Sequence, residues 1–191
     1  MAEGIILAGG YSSRMVVNKM MIPLWGKPLI VHAINALKPA VSQIIVVTGH
    51  YHEEMVALLE ADPMVRVFYN ENYASGMFSS VQCGVRACQS DFFILPGDYP
   101  LVKTSTFDSL KGAEGDIRIP TYHGQKGHPI YFSQKMRTTI LSEPITSNLR
   151  VIRDRHPVTF VAVEDDGILK DVDSKEDWHK ILTIDKGDGH G

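Results

Sequence analysis

The sequence predicts an α/β fold: a doubly wound, mostly parallel sheet sandwiched between helices in three αβα layers. Three observations predict it. Short apolar, β-branched runs alternate with stretches of helical periodicity through the first hundred residues. The first and fourth of these runs stop at glycine-bearing turns, Gly9-Gly10 and Pro96-Gly97. Parallel neighbours also need a covering crossover, which the intervening helical stretches supply.

Taken in order, Ile5–Ala8 reads as a buried strand and Pro28–Leu37 as a helix with proline at its first position. Gln43–Thr48 is continuous and rich in β-branched residues, as a central parallel strand should be. Tyr51–Ala61 reads as a helix and Val65–Tyr69 as the third strand. Met77–Cys88 carries an apolar stripe at Val81, Val85 and Cys88 and reads as a helix. Asp91–Leu95 is the fourth strand. The second half is less regular. Strands are expected at Ile117–Pro120, Ile130–Phe132, Val158–Val163 and Ile168–Val172, and helices at Ser133–Leu141, Ser147–Asp154 and Lys175–Leu182.

The 191 residues suit one domain, expected over 1–184, followed by a polar, glycine-rich, flexible tail, Asp185–Gly191. A net charge of −3 excludes a basic nucleic-acid footprint, so no nucleic-acid partner is expected and an anionic substrate must be met by local cations. No apolar run approaches the length of a membrane span, and the N-terminus enters a strand without a signal-peptide pattern. The two cysteines, Cys83 and Cys88, match no metal or redox spacing and read as reduced packing residues. A cytoplasmic location is the expectation.

Chemistry concentrates in two turns. Leu7-Ala8-Gly9-Gly10-Tyr11-Ser12-Ser13-Arg14-Met15 leads on to Lys19. Two glycines after a strand let the backbone approach a ligand, and exposed N–H groups there form an anion nest. Ser12 and Ser13 add hydroxyls, Arg14 a planar fork and Lys19 a mobile charge, which together suit a triphosphate. The plain alternative is a glycine turn beside two solvated cations. The second turn, Pro96-Gly97-Asp98-Tyr99-Pro100-Leu101, follows the fourth strand. Ligands of open α/β sheets bind outside the carboxyl ends of strands, so Asp98 stands where a magnesium-bound triphosphate needs a hard oxygen ligand. Thr48, at the end of the second strand, is expected to border the nucleotide.

Leu-Ala-Gly-Gly-x-Ser-x-Arg-Met, followed by Lys19, Pro23-Leu24 and Gly26-Lys27-Pro28-Leu29, resembles the signature of the MobA-like nucleotidyltransferases. Pro96–Leu101 is similar to the family's Gly-Asp-x-Pro-Leu. Two departures are visible: Val16 stands where the family usually has glycine, and Lys175 where it usually has proline. The resemblance implies a Rossmann-like nucleotide-diphospho-sugar transferase fold. It also implies Mg²⁺-dependent transfer of a nucleotide from an NTP to a phosphorylated small molecule. Leu7, Ala8, Gly9, Gly10, Ser12, Ser13, Arg14 and Lys19 would then bind the nucleotide, with Arg14, Lys19 and Asp98 catalytic. The segment from Asn70 to Gly76, Ser79 and Ser80 resembles the family's base- and ribose-binding stretch. Asp171-Val172-Asp173 resembles its late metal segment, with Asp173 as the second ligand beside Asp98 and Asp171 pointing the same way if the segment is extended. A helix cap is the alternative for Asp173. Gly127-His128-Pro129 resembles the acceptor loop of the molybdenum cofactor cytidylyltransferase branch, which implies CTP as donor, molybdopterin cofactor as acceptor and a molybdoenzyme as a partner. A sugar- or alditol-phosphate nucleotidyltransferase and a non-catalytic molybdoenzyme maturation factor are the alternatives.

Overall fold

The computed structural model describes residues 1–10 and 18–184. The expected roles of Ser12, Ser13 and Arg14, and the tail Asp185–Gly191, lie outside the described residues.

The elements follow in chain order as β1 (Glu3–Ala8), β2 (Pro23–Leu24), β3 (Lys27–Pro28), α1 (Leu29–Leu37), β4 (Ile44–Thr48), α2 (His52–Leu59), β5 (Val65–Tyr69), α3 (Met77–Ala87) and β6 (Phe92–Pro96). Next come α4 (Thr104–Gly112), β7 (Ile117–Tyr122), β8 (Gln125–Lys126), β9 (Ile130–Phe132), α5 (Met136–Ser142), α6 (Leu149–Arg155), β10 (Thr159–Ala162) and α7 (Lys175–Leu182). The main sheet runs β10-β7-β9-β6-β1-β4-β5, with β8 pairing β7, while β2 and β3 make a separate small hairpin. β6, β1, β4 and β5 are parallel. β9 runs antiparallel between β6 and β7, and β10 is parallel to β7. The expected mostly parallel sheet is therefore present, with one reversed strand inside it.

Both faces of the sheet are covered, because the period-2 alternation of each central strand is apolar on both sides. Ile6, Ile44 and Val46 pack with Met55, Leu59, Phe107 and Leu110 of α2 and α4. Ile5, Leu7, Ile45 and Val47 pack with Phe78, Val81 and Val85 of α3 and with Met136, Ile140 and Ile152 of α5 and α6. A third cluster seats α7, through Ile181, on Leu24, Leu29, Leu101 and Val172.

One expected element needs correction. Ile168–Val172 is not a strand. Asp166–Leu169 is a 3-10 turn, because the buried Asp165 carboxylate accepts from Gly167 N (3.0 Å), Lys103 N (2.8 Å) and Thr106 Oγ1 (2.6 Å) and winds the chain around itself. The backbone there bonds to loops instead: His128 N donates to Ile168 O (3.0 Å) and Val172 N to Asp98 O (2.9 Å). α4 forms in a stretch for which no element was expected. It buries only Thr106, Phe107 and Leu110. Among the described residues no helix is long and apolar enough to cross a membrane.

Candidate functional site

The strand order reverses at β1. The chain moves from β1 to β4 and β5 on one side, then crosses to β6 on the other. A crevice opens outside the carboxyl ends at such a switch point. Leu7 lies in register with Pro96, and Gly97 N donates to Leu7 O (2.9 Å), so the turns after β1 and β6 leave the sheet side by side. Between them and the start of α3 lies an open cleft of about 330 Å³, whose lining includes Leu7, Gly9, Gly10, Lys19, Gly76, Ser80 and Asp98. The two segments singled out in the sequence thus face one another. Ala8 is buried in the core.

Lys19 opens a single 3-10 turn, Lys19–Met21. Asn18 caps that turn: its Oδ1 accepts from Met20 N (3.1 Å), and its Nδ2 donates to Glu54 Oε2 on α2 (3.0 Å). The lysine Nζ lies 2.5 Å from Asp98 Oδ2 and 2.9 Å from Asp173 Oδ1. Burial works against the ammonium, but the charges and hydrogen bonds of Asp98 and Asp173 outweigh it and hold the lysine above its ordinary pKa. It is a fixed cation at neutral pH.

Asp98 is buried, and its other oxygen, Oδ1, has no hydrogen-bond partner. Asp171 and Asp173 reach it from the segment before α7, which the Val172–Asp98 backbone bond ties to the β6 turn. One oxygen from each of Asp98, Asp171 and Asp173 lies within 4.8 Å of the others. Burial first, then the Asp98 and Asp173 charges, push the Asp171 carboxyl up, although its own backbone hydrogen bond opposes this. Three converging carboxylates, one with an orphaned buried oxygen, form the hard oxygen set that suits a divalent cation of the magnesium or manganese type. The expected pair, Asp98 and Asp173, are together, and Asp171 joins them as a third. The helix-capping alternative for Asp173 does not hold. Ser174 caps α7 and shares a capping box with Asp177.

On the other wall, α3 begins at Gly76, whose φ of +105° lies in the left-handed region that favours glycine. No side chain caps the first turn, Ser79 N donates to Gly76 O (3.2 Å), and Gly76 and Met77 line the cleft. Asn70 and Ser79, both expected to touch nucleotide, are buried and work within the fold. Asn70 Nδ2 donates to Ser79 Oγ (2.8 Å) and Ser80 Oγ (3.0 Å), and its Oδ1 accepts from Asn72 N (3.1 Å). Ser79 Oγ sits 2.7 Å from Gly76 O and 2.8 Å from Asn72 O, as a donor in that turn. Only Ser80 of this trio lines the cleft. Thr48 is fully buried, with its hydroxyl on Phe68 O (3.1 Å) and His52 Nδ1 (2.7 Å). The expectation that Thr48 borders the nucleotide through its side chain is corrected accordingly.

The Gly127-His128-Pro129 loop joins β8 to β9, at the same end of the sheet. Gly127 N donates to Pro120 O (3.0 Å), and Pro129 is buried. The His128 ring packs on Tyr99, the residue after Asp98, with centroids 4.8 Å apart. Its Nδ1 is buried without a hydrogen-bond partner. Burial, helped by the charge of Arg153, lowers the imidazole pKa to about 4, so it is neutral at physiological pH.

The MobA-like NTP transferase domain matches residues 4–159. The molybdenum cofactor cytidylyltransferase of Escherichia coli (strain K12) is 30% identical, over 91% of this chain and 92% of that protein. A nucleotidyl transferase from Methanothermobacter superimposes with a TM-score of 0.82 at 23% identity, covering 95% of this chain and 96% of the other. A manganese complex of Rv0371C from Mycobacterium tuberculosis H37Rv gives 0.78 at 21% identity, covering 96% and 99%. Those last two speak for the fold. On the family match and the E. coli relative, this chain belongs to the MobA-like NTP transferase family and is a nucleotidyltransferase.

Proposed function

We propose that the chain transfers a cytidylyl group from CTP to the terminal phosphate of molybdopterin cofactor, in a Mg²⁺-dependent reaction that releases pyrophosphate. The observation that carries this is Lys19, which joins the end of the glycine-loop segment to Asp98 and Asp173 at the rim of one cleft. CTP and molybdopterin are supported by the E. coli relative, a molybdenum cofactor cytidylyltransferase, and by the Gly127-His128-Pro129 loop.

In this reading a phosphate oxygen of the acceptor attacks the α-phosphorus of the NTP in line, forming the new P–O bond as the bond to pyrophosphate breaks. The nucleophile is already an anion, so the protein needs no general base. Positioning and charge stabilisation are its main contributions. Gly9 and Gly10 present backbone to the triphosphate, and the α3 N-terminus with Ser80 supplies N–H and O–H donors. Lys19 offsets the negative charge that builds on the departing pyrophosphate. Arg14 shares that task on the strength of its place in the motif. Asp98, Asp171 and Asp173 would hold Mg²⁺, which when bound supplies Lewis-acid neutralisation of phosphate oxygens. The Gly127-His128-Pro129 loop would border the acceptor, with the His128 ring neutral and its Nδ1 turned into the fold.

Pyrophosphate release, measured across a panel of four NTPs with molybdopterin, sugar phosphates and alditol phosphates, tests the assignment. The proposal expects turnover with CTP and molybdopterin. Turnover confined to a sugar or alditol phosphate would replace it with the second enzyme class.

A further inference from the structure

Away from the glycine cleft lies a second concavity, of about 320 Å³, whose lining includes Lys126, Arg150, Arg153, Asp154 and Phe160. Arg150 and Arg153 lie three residues apart on α6 and so project from one face. Lys126 comes from β8, and its Nζ sits over the Phe160 ring, 4.5 Å from the centroid. Phe160, on β10, is 49% exposed, which is unusual for so large an apolar ring. Among the described residues no carboxylate lies within ion-pair distance of Lys126, Arg150 or Arg153. Asp154 is the one acid in the lining, so the concavity carries a net charge of +2 in a chain whose net charge is −3.

Its position adds the second argument. Lys126 follows the carboxyl end of β7, the same end of the sheet as Asp98 after β6. β7 and β10 are two and three strands from β6, and the lining runs from Lys126, paired with Thr121, back to Phe160, level with Ile94, so the concavity stands roughly 12–20 Å from the carboxylate cluster. His128 lies between them. Its ring rests on Tyr99 on one side and feels the Arg153 charge on the other.

We infer that the Lys126–Arg150–Arg153 concavity is a distal subsite for the acceptor, holding a second anionic group of a small molecule whose other phosphate reacts beside Asp98. The volume suits a small molecule. Two unpaired guanidinium forks suit phosphate or another oxyanion, and the exposed Phe160 ring offers a flat apolar contact. The acceptor class that fits is an elongated small molecule with two anionic groups about 12–20 Å apart. This inference rests on the two-substrate reading above, and it deepens that reading by saying what holds the far end of the acceptor.

The test uses the full chain and an Arg150→Gln/Arg153→Gln double variant. Inorganic phosphate is titrated while the arginine Nε–H resonances are followed by NMR. Saturable shifts at Arg150 and Arg153 are expected in the wild type. Flat responses would overturn the subsite whether or not the enzyme turns over. With a working acceptor, the double variant should raise acceptor KM about tenfold or more, the size of losing charge-assisted bonds, and leave NTP KM unchanged. An unchanged acceptor KM with the phosphate shifts intact would overturn the assignment to the acceptor. Unchanged NTP KM also shows that the variant folds. No turnover with any acceptor would count against the proposed reaction, and the phosphate titration would still read the concavity by itself.

Discussion

Asn70→Ala should loosen one wall of the cleft between β1 and β6 and destabilise the whole domain. The side chain is 4% exposed and makes three hydrogen bonds, two as donor to Ser79 and Ser80 and one as acceptor from Asn72 N. Each such bond contributes about 1 kcal/mol net, and a buried partner left unsatisfied costs about 1–3 kcal/mol more. Solvent at the cleft edge can reach Ser80, Ser79 keeps its carbonyl partners and Asn72 is exposed, so the cost is mainly that of the three lost bonds. The sum is about 3 kcal/mol, which in a chain of this size lowers Tm by roughly 6–12 °C. Urea unfolding followed by circular dichroism would give the free energy, and calorimetry the Tm. KM for the NTP should rise in the same variant, because Ser80 and the first turn of α3 lose their anchor. A loss below about 1 kcal/mol with unchanged NTP KM would show that the Asn70 network does not hold that wall.

Gly84→Ala should destabilise by about 1–3 kcal/mol, because a Cβ there would stand 2.5 Å from Ile5 Cγ2 and 3.1 Å from Val47 Cγ2, wedging α3 off the sheet; urea titration measures it. His128 should stay neutral in the native state down to about pH 4, while the unfolded chain takes a proton near 6.5. Its contribution to stability is therefore full above about pH 6.5 and declines as pH falls toward 4, and an NMR titration of His128 with a midpoint above 6 would contradict this. Asp91 has the same slope for the opposite reason. Burial raises its carboxyl, but the Tyr131 hydroxyl (2.6 Å) and Gln134 N–H (2.8 Å) outweigh that and hold it below the usual range. Its contribution is full above the unfolded pKa and lost as pH falls through the lower native value, so Asp91→Asn should flatten the acid limb of the stability curve. Burial also raises the thiol pKa of both Cys83 and Cys88, so neither should alkylate quickly in native protein at neutral pH, and rapid labelling of Cys88 would count against its buried place.

The parallel half of the sheet was legible because its strands are short, apolar and β-branched, a pattern that buried parallel strands require. β1, β4, β5 and β6 fall within a residue or two of where the sequence puts them. α4 was not legible. Its nine residues bury an apolar pair, Phe107 and Leu110, and the rest read as a polar loop. The segment Ile168–Val172 was misread because its apolar residues are indeed buried, but their backbone partners are loops rather than a strand. What decides that path is Asp165, a lone acid whose burial is not visible in one dimension. Gly9, Gly10, Lys19 and Asp98 line one cleft, and their proximity was legible because they lie in the segments that follow β1 and β6. Asn70 and Ser79 are buried and bonded within the loop before α3, and spacing alone does not tell such a role from a contact in the cleft. The Arg150–Arg153 concavity joins α6 to β8 and β10 and has no local signature.

The central claim is that Asp98, Asp171 and Asp173 hold a divalent cation on the triphosphate of a nucleotide in the β1–β6 crevice. Electron paramagnetic resonance of Mn²⁺, added with CTP to the wild type and to Asp98→Asn, reads this directly. The account predicts an immobilised Mn²⁺·CTP signal in the wild type that is lost in the variant, with the variant's fold intact by circular dichroism. Equal Mn²⁺·CTP binding by both proteins would contradict it.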